Sequence, residues 1–343
     1  ILFLFVFFGA FQIVLLYLFG QSIIAVDMFL NLATTNSSEA MELLDNLLPA
    51  LITIVILYIP ALILGMISIV RKRMLSVRFI RRERRRAWVV LGAGLVSLGA
   101  AFLLDKKYEM TSDLYPVNVC YNVVLAVERN ARTLDYEETS KDFTFNAAAT
   151  HPAEDREIYV LVVGETSRAL NWSLYGYDRE TNPKLSEVSG LTAFTNVLTQ
   201  SNTTHKSVPM LMSAVSAENF DSIYHQKGII TAFKEAGFKT AFFANQRYNN
   251  SFIDFFGKEA DHYDFIKEDS LTAGQNLSDD YLLALVQEEL AKGNRKQFIV
   301  LHTYGSHFNY RERYPAEAAF FQPDSPADAE FKYRDNLINA YDN

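Results

Sequence analysis

The chain has 343 residues, half of them hydrophobic, and a formal net charge of −8. That length admits two domains, and the single cysteine, Cys120, excludes an internal disulfide. The negative total averages over two unlike parts, a basic membrane part and an acidic remainder.

Residues 1–26, Leu47–Val70 and Ala87–Leu104 contain no charged side chain. A bilayer is crossed by ~20 apolar residues, so membrane-spanning helices are expected over about 1–20, 47–70 and 87–104. The first run has no basic leader and no initiating Met, so it reads as a span of a fragment rather than as a signal peptide. Between the second and third spans lies RKRMLSVRFIRRERRR, residues 71–86, with nine Lys or Arg against Glu83 alone. The positive-inside rule makes this loop cytoplasmic. Its place between two spans argues against nucleic acid as its partner. Residues 21–46 and everything beyond Leu104 then lie on the opposite side.

Residues 111–156 turn polar and read as a juxtamembrane helix and a linker, which leaves 1–110 as the membrane domain and 157–343 as a soluble domain. In the latter, IYVLVV (158–163), KTAFFA (239–244) and QFIVLH (297–302) read as buried strands. GIITAFKEAGF and SDDYLLALVQEELAKG read as helices closed by Gly237 and Gly293, the second opened by Ser278. Helices alternating with buried strands predict a mostly parallel α/β sheet covered on both faces.

The chemistry sits just after the strands. GETSR, NQR and TYGSH succeed the three in turn, and open parallel sheets gather ligands at their carboxyl ends. Glu165, Asn245, Gln246, His302 and His307 are thereby aimed at one edge, as a phosphate- or metal-binding group. Singly, Glu165 also reads as a helix-start carboxylate and His302 as a satisfied structural histidine. SNTTHKSVPM (201–210) adds hydroxyls before an apolar run, with a helix expected near Ser207-Val208-Pro209. Its threonines either cap that helix or, beside a divalent metal that lowers a hydroxyl pKa, supply a nucleophile.

GETSRALNWSLYGYDRETNPKL, SNTTHKSVPMLMS, LHTYGSHFNYRERYP and the closing NAYDN resemble segments of bacterial phosphoethanolamine transferases, in the sulfatase and alkaline phosphatase superfamily. The resemblance implies an inner-membrane helical domain joined to a periplasmic, zinc-dependent catalytic domain. It implies transfer of phosphoethanolamine from phosphatidylethanolamine to lipid A or another envelope glycan, through a phospho-threonine. Thr204 takes the place of the nucleophile and, with Glu165, of zinc ligands; His307 takes that of a substrate-phosphate histidine. Residues 27–40 resemble a periplasmic loop beside the active site, making Asn31, Thr35 and Glu39, four apart, candidates for the ethanolamine end. Read alone, they are an amphipathic helix on the membrane surface.

Two departures accompany the resemblance. The Asp-His pair and later His of the family's Zn2+ site would fall beyond Asn343, so the parent protein is expected to be active and this stretch inactive. Positions joined by a disulfide in other members are Gln200 and Met210 here. A glycerol-phosphate transferase of the lipoteichoic-acid-synthase type, and a membrane-anchored fragment that only binds, are the alternatives.

Overall fold

The computed structural model describes residues 9–10, 37–72, 76–115, 117–267, 277–307, 309–325 and 333–343. Of the expected span over 1–20 only residues 9–10 are described, and Asn31 and Thr35 lie outside the described residues. The chain divides into two compact units, Ile1–Ala131 and Arg132–Asn343.

Among its described residues the first unit is helical. α1 (Ser37–Val70) begins ten residues before the expected span, because Glu39, Ala40, Met41, Glu42 and the leucines after them are strong helix formers. Glu39 is therefore helical, in the first turn. α2 (Val77–Leu104) likewise starts ahead of its apolar run, turning most of the expected basic loop into helix. Arginine is a good helix former, and Ser76 accepts a hydrogen bond from the Phe79 amide at 3.2 Å to cap it. Ile52–Val70 and Val77–Leu104 are long and apolar enough to cross a membrane. None of the α2 side chains is buried. After a single turn at Met110–Asp113 comes α3 (Val117–Leu134), which runs across the boundary into the second unit.

Among its described residues the second unit carries a four-stranded parallel sheet in the order β1-β4-β2-β3. β1 is Glu157–Val163. After it come α4 (Thr204–Leu211), α5 (Ile229–Glu235), β2 (Lys239–Ala244), α6 (Phe252–Lys258), β3 (His262–Phe265), α7 (Tyr281–Ala291), β4 (Lys296–His302) and α8 (Tyr333–Asp342). β4 is buried along its whole length and β2 beyond Lys239. β1 departs from the expectation of burial: among the described residues it is the outer strand, paired with β4 alone, and Val160 and Val162 are exposed.

Apolar side chains fill both faces of the sheet. Phe242, Phe298 and Val300 pack with Val208, Ile230, Phe252 and Phe256 from α4, α5 and α6. On the other face Phe243, Ile299 and Leu301 meet Leu282 of α7. Each such side chain contributes about 1.5–3 kcal/mol on burial. Gly237 and Gly293 come after α5 and α7 with positive φ, but α7 starts at Tyr281 after Asp280, not at Ser278. The register puts Val163, Ala244 and His302 side by side, so three polar loops leave the sheet at one level.

Candidate active site

At the β1 end of this edge the chain enters Gly164 and then Glu165, which is buried. α4 begins at Thr204, with Thr203 as the N-cap in extended conformation. The helix therefore starts three residues ahead of the Ser207 boundary expected from the sequence, and Pro209 lies inside it. That shift puts Thr204 on the first turn, where its hydroxyl donates to the Glu165 carboxylate. The Oγ1 lies 3.0 Å from Oε1 and 3.1 Å from Oε2. Thr166 Oγ1 also donates to Oε1, at 2.9 Å. Burial pushes the Glu165 carboxyl above its ordinary range, against the downward pull of these hydrogen bonds.

Two clamps hold the backbone beneath that carboxylate. From the loop after β4, the Ser306 amide donates to the Glu165 carbonyl at 3.0 Å. Gly305, at φ +51°, is packed so closely that a Cβ on it would sit 2.6 Å from the same carbonyl oxygen. From α8, the Tyr341 hydroxyl donates to the Thr166 carbonyl at 2.7 Å and accepts from the Arg168 amide at 2.8 Å. Thr166 itself has φ +56°, a region costly for a β-branched residue unless its surroundings hold it there. Beside Tyr341, the enclosed Asp342 carboxylate receives Arg179, Tyr177 and Asn171 at 2.8, 2.8 and 2.9 Å. The NAYDN segment thus braces the GETSR loop.

At the β2 and β4 ends the polar groups are held differently. Asn245 is fully buried; its amide nitrogen donates to the Leu277 carbonyl at 2.9 Å and to Asp279 at 2.8 Å, while its Oδ1 has no partner among the described residues. Gln246 Nε2 donates to the Thr303 carbonyl at 2.9 Å. Asp279 also accepts from the amides of Tyr304 and Gly305, at 2.8 and 2.9 Å, tying the β2 and β4 loops together. Nothing in the sequence marks Asp279 beyond a helix-start aspartate. His302 is buried with neither ring nitrogen partnered among the described residues, so it is not the satisfied histidine its strand-end position suggests. Burial lowers its pKa to about 4, opposed by the charge of Asp279. His307 stacks on Tyr304 with ring centres 5.1 Å apart, two residues beyond the glycine that abuts Glu165.

No group of three or more His, Cys, Asp or Glu placed to hold a metal occurs among the described residues. Glu165 and Thr204 supply two oxygen donors of a type zinc accepts. Their separation of 3.0–3.1 Å is near the roughly 3.3 Å between neighbouring oxygens in a tetrahedron with zinc–oxygen bonds of about 2.0 Å. The pair fits two of four places, and the residues described do not complete the set.

A parallel sheet with helices on both faces, an acid after the first strand and a threonine opening a facing helix define an α/β domain with its polar groups gathered at one sheet edge. The chain belongs to the sulfatase family, whose model matches residues 157–343. Among curated relatives it is 30% identical over 178 residues to "Phosphoethanolamine transferase CptA" of Salmonella typhimurium, an alignment covering 50% of this chain and 31% of that one. It is 29% identical over 211 residues to "Kdo(2)-lipid A phosphoethanolamine 7''-transferase" of Escherichia coli, covering 60% and 36%. The chain thus spans about a third of the length of these relatives. In fold it matches the integral membrane lipooligosaccharide phosphoethanolamine transferase A of Neisseria meningitidis, with a TM-score of 0.68 and 24% identity over 98% of this chain and 65% of that one.

Proposed function

We propose that this protein is a membrane-anchored phosphoethanolamine transferase with Thr204 as its nucleophile. The observation that carries the reading is the pair of hydrogen bonds from Thr204 Oγ1 to both oxygens of the buried Glu165 carboxylate. In the first turn of α4 the hydroxyl stands at the positive end of the helix dipole, which favours a phosphoryl group. The resemblance alone supplies the donor, phosphatidylethanolamine; the resemblance and the name of the Escherichia coli relative support lipid A or a lipopolysaccharide sugar as the acceptor.

In this reading Thr204 Oγ1 attacks the phosphorus of phosphatidylethanolamine. The phosphorus–oxygen bond to the glycerol breaks and diacylglycerol leaves, taking a proton. An acceptor hydroxyl then attacks the phospho-threonine, and Thr204 is restored. Glu165 accepts the hydrogen bond of the hydroxyl and orients its oxygen, while His307 binds the phosphoryl oxygens or protonates the departing group. His302, Asn245 and Gln246 serve the substrate side. Asn31, Thr35 and Glu39 are assigned to the ethanolamine end on the resemblance alone. Zn2+, held in part by Glu165 and Thr204, would lower the pKa of the hydroxyl and neutralise charge in the transfer. The spans anchor the protein in the bacterial inner membrane as a multi-pass protein, with the second unit in the periplasm.

The test is Thr204→Ala in the full-length membrane protein, with phosphatidylethanolamine and lipid A in mixed micelles. Transfer and the phosphorylated tryptic peptide containing residue 204 are both expected to vanish. Transfer at the wild-type rate by Thr204→Ala would refute the assignment. With phosphatidylglycerol supplied as a second donor, glycerol phosphate on the acceptor in place of phosphoethanolamine would replace it with a glycerol-phosphate transferase.

A further inference from the structure

The first ten residues of α2 are built against the helix's own electrostatics. Arg78, Arg81, Arg82, Arg84, Arg85 and Arg86 crowd the positive end of the dipole, and no acid stands in the first turn. Cations there oppose the dipole, and like charges three or four residues apart repel. Arg78, Arg81, Arg82 and Arg85 stand at just those spacings. Glu83 offsets only part of this, pairing with Arg82 at 3.3 Å and with Arg86 at 2.9 Å. Arg78, Arg81 and Arg85 have no acidic partner among the described residues and are exposed.

Five of these arginines share one side of the helix. Arg78, Arg81, Arg82, Arg85 and Arg86 line an open concavity of about 680 Å³ whose remaining wall is Val89 and Val90. The lining runs without a break from guanidinium groups into two exposed valines of the apolar run. From Arg78 to Arg86 it rises ~12 Å at 1.5 Å per residue. That is enough to cross the polar layer, which adds about 5–8 Å to each side of the hydrocarbon core. Arg84 lies outside the concavity.

We propose that this stripe is a binding site for an anionic phospholipid, distinct from the zwitterionic donor: its phosphate lies among Arg78, Arg81 and Arg85, and its acyl chain starts along Val89 and Val90. The occupant is chosen by chemistry. Guanidinium forks match phosphate oxygens in two-pronged hydrogen bonds, the valines match only an apolar chain, and one lipid presents both at this spacing. A nucleic acid would satisfy the arginines and leave the valines bare. Because the site sits where a charged segment meets an apolar one, it holds whichever face of the membrane carries the α2 start.

Native mass spectrometry of the full-length protein, released from micelles with equal phosphatidylglycerol and phosphatidylcholine, tests this. The wild type should retain phosphatidylglycerol preferentially, and the triple variant Arg78→Gln/Arg81→Gln/Arg85→Gln should lose that preference by roughly tenfold or more. A control with equal charge loss off the stripe, Arg71→Gln/Lys72→Gln/Arg84→Gln, should keep most of it. Equal losses in the two triples would show a general charge effect and overturn the site. So would an unchanged ratio in the stripe triple, or displacement of the lipid by a short nucleic acid duplex. Thermal melting of each variant separates misfolding from lost binding, since the stripe contributes no buried side chain.

Discussion

The two ends of the sheet's carboxyl edge are built on opposite terms. At the β1 end the polar groups that shape the site are paired: the Glu165 carboxylate with Thr166 and Thr204, its carbonyl with Ser306, the turn after it with Tyr341. At the β2 and β4 ends, buried polar atoms are left over among the described residues, namely both ring nitrogens of His302 and Oδ1 of Asn245. An unpaired buried polar group costs about 1–3 kcal/mol, so the second end is a place where stability is given up. Among the described residues, hydrogen bonds within the chain fix the geometry of the first end and leave these atoms of the second unpaired.

If the paired end is held by α8, cutting that brace should have the largest effect. Asp342 is enclosed with one arginine and two neutral donors upon it. Asp342→Ala strips Arg179, Tyr177 and Asn171 of their shared acceptor, a change that costs about 3 kcal/mol or more. The full-length protein in detergent is expected to melt well below wild type. Tyr341→Phe should fold nearly normally yet transfer phosphoethanolamine more slowly, because the Thr166 carbonyl and Arg168 amide lose their common partner. Wild-type melting of Asp342→Ala would show that α8 merely lies against the loop.

Gly305→Ala probes the same end from the loop after β4. The added Cβ meets the Glu165 carbonyl at 2.6 Å, and φ is +51°, so either the loop or Glu165 must move. The conformational cost is about 1–3 kcal/mol, less than that of Asp342→Ala, but the displacement falls on the carboxylate. Transfer activity should drop more than the melting temperature does. Equal activity in wild type and Gly305→Ala would mean that the site tolerates a shifted Glu165.

Much of this edge is legible in the sequence, because buried parallel strands are short apolar runs and the polar residues after them can only emerge at one side. Glu165, Asn245 and His302 are located that way. β3 is not, since HYDF is four residues long with polar side chains at two of them. The start of α4 is ambiguous in sequence because Ser207 and Thr203 are both acceptable helix openings. The hydrogen bond that favours the earlier one reaches Glu165, 39 residues away. Asp279 is illegible for a related reason: its role depends on the β2 and β4 loops lying together, which no local pattern states. The helical start of α2 is hidden by its charge, although arginine propagates a helix well.

The smallest effect tests the second end, and its sign is opposite. His302→Leu removes two unpaired nitrogens from a buried site, so the variant should melt slightly above wild type at pH 7.5, by about 1 kcal/mol, while losing transfer activity. The gap should widen in acid. Burial lowers the His302 pKa to about 4, whereas an unfolded histidine titrates near ~6.5. Between those values the unfolded chain binds a proton that the folded chain refuses, so the stability contributed by neutral His302 is complete above about pH 6.5 and is lost as pH falls toward 4. Leucine has no such proton, and the variant's advantage should grow by about 1–2 kcal/mol at about pH 5. A His302→Leu protein whose melting tracked wild type across that range would mean that His302 is hydrogen-bonded in the folded protein, and the two ends of the edge would then be alike.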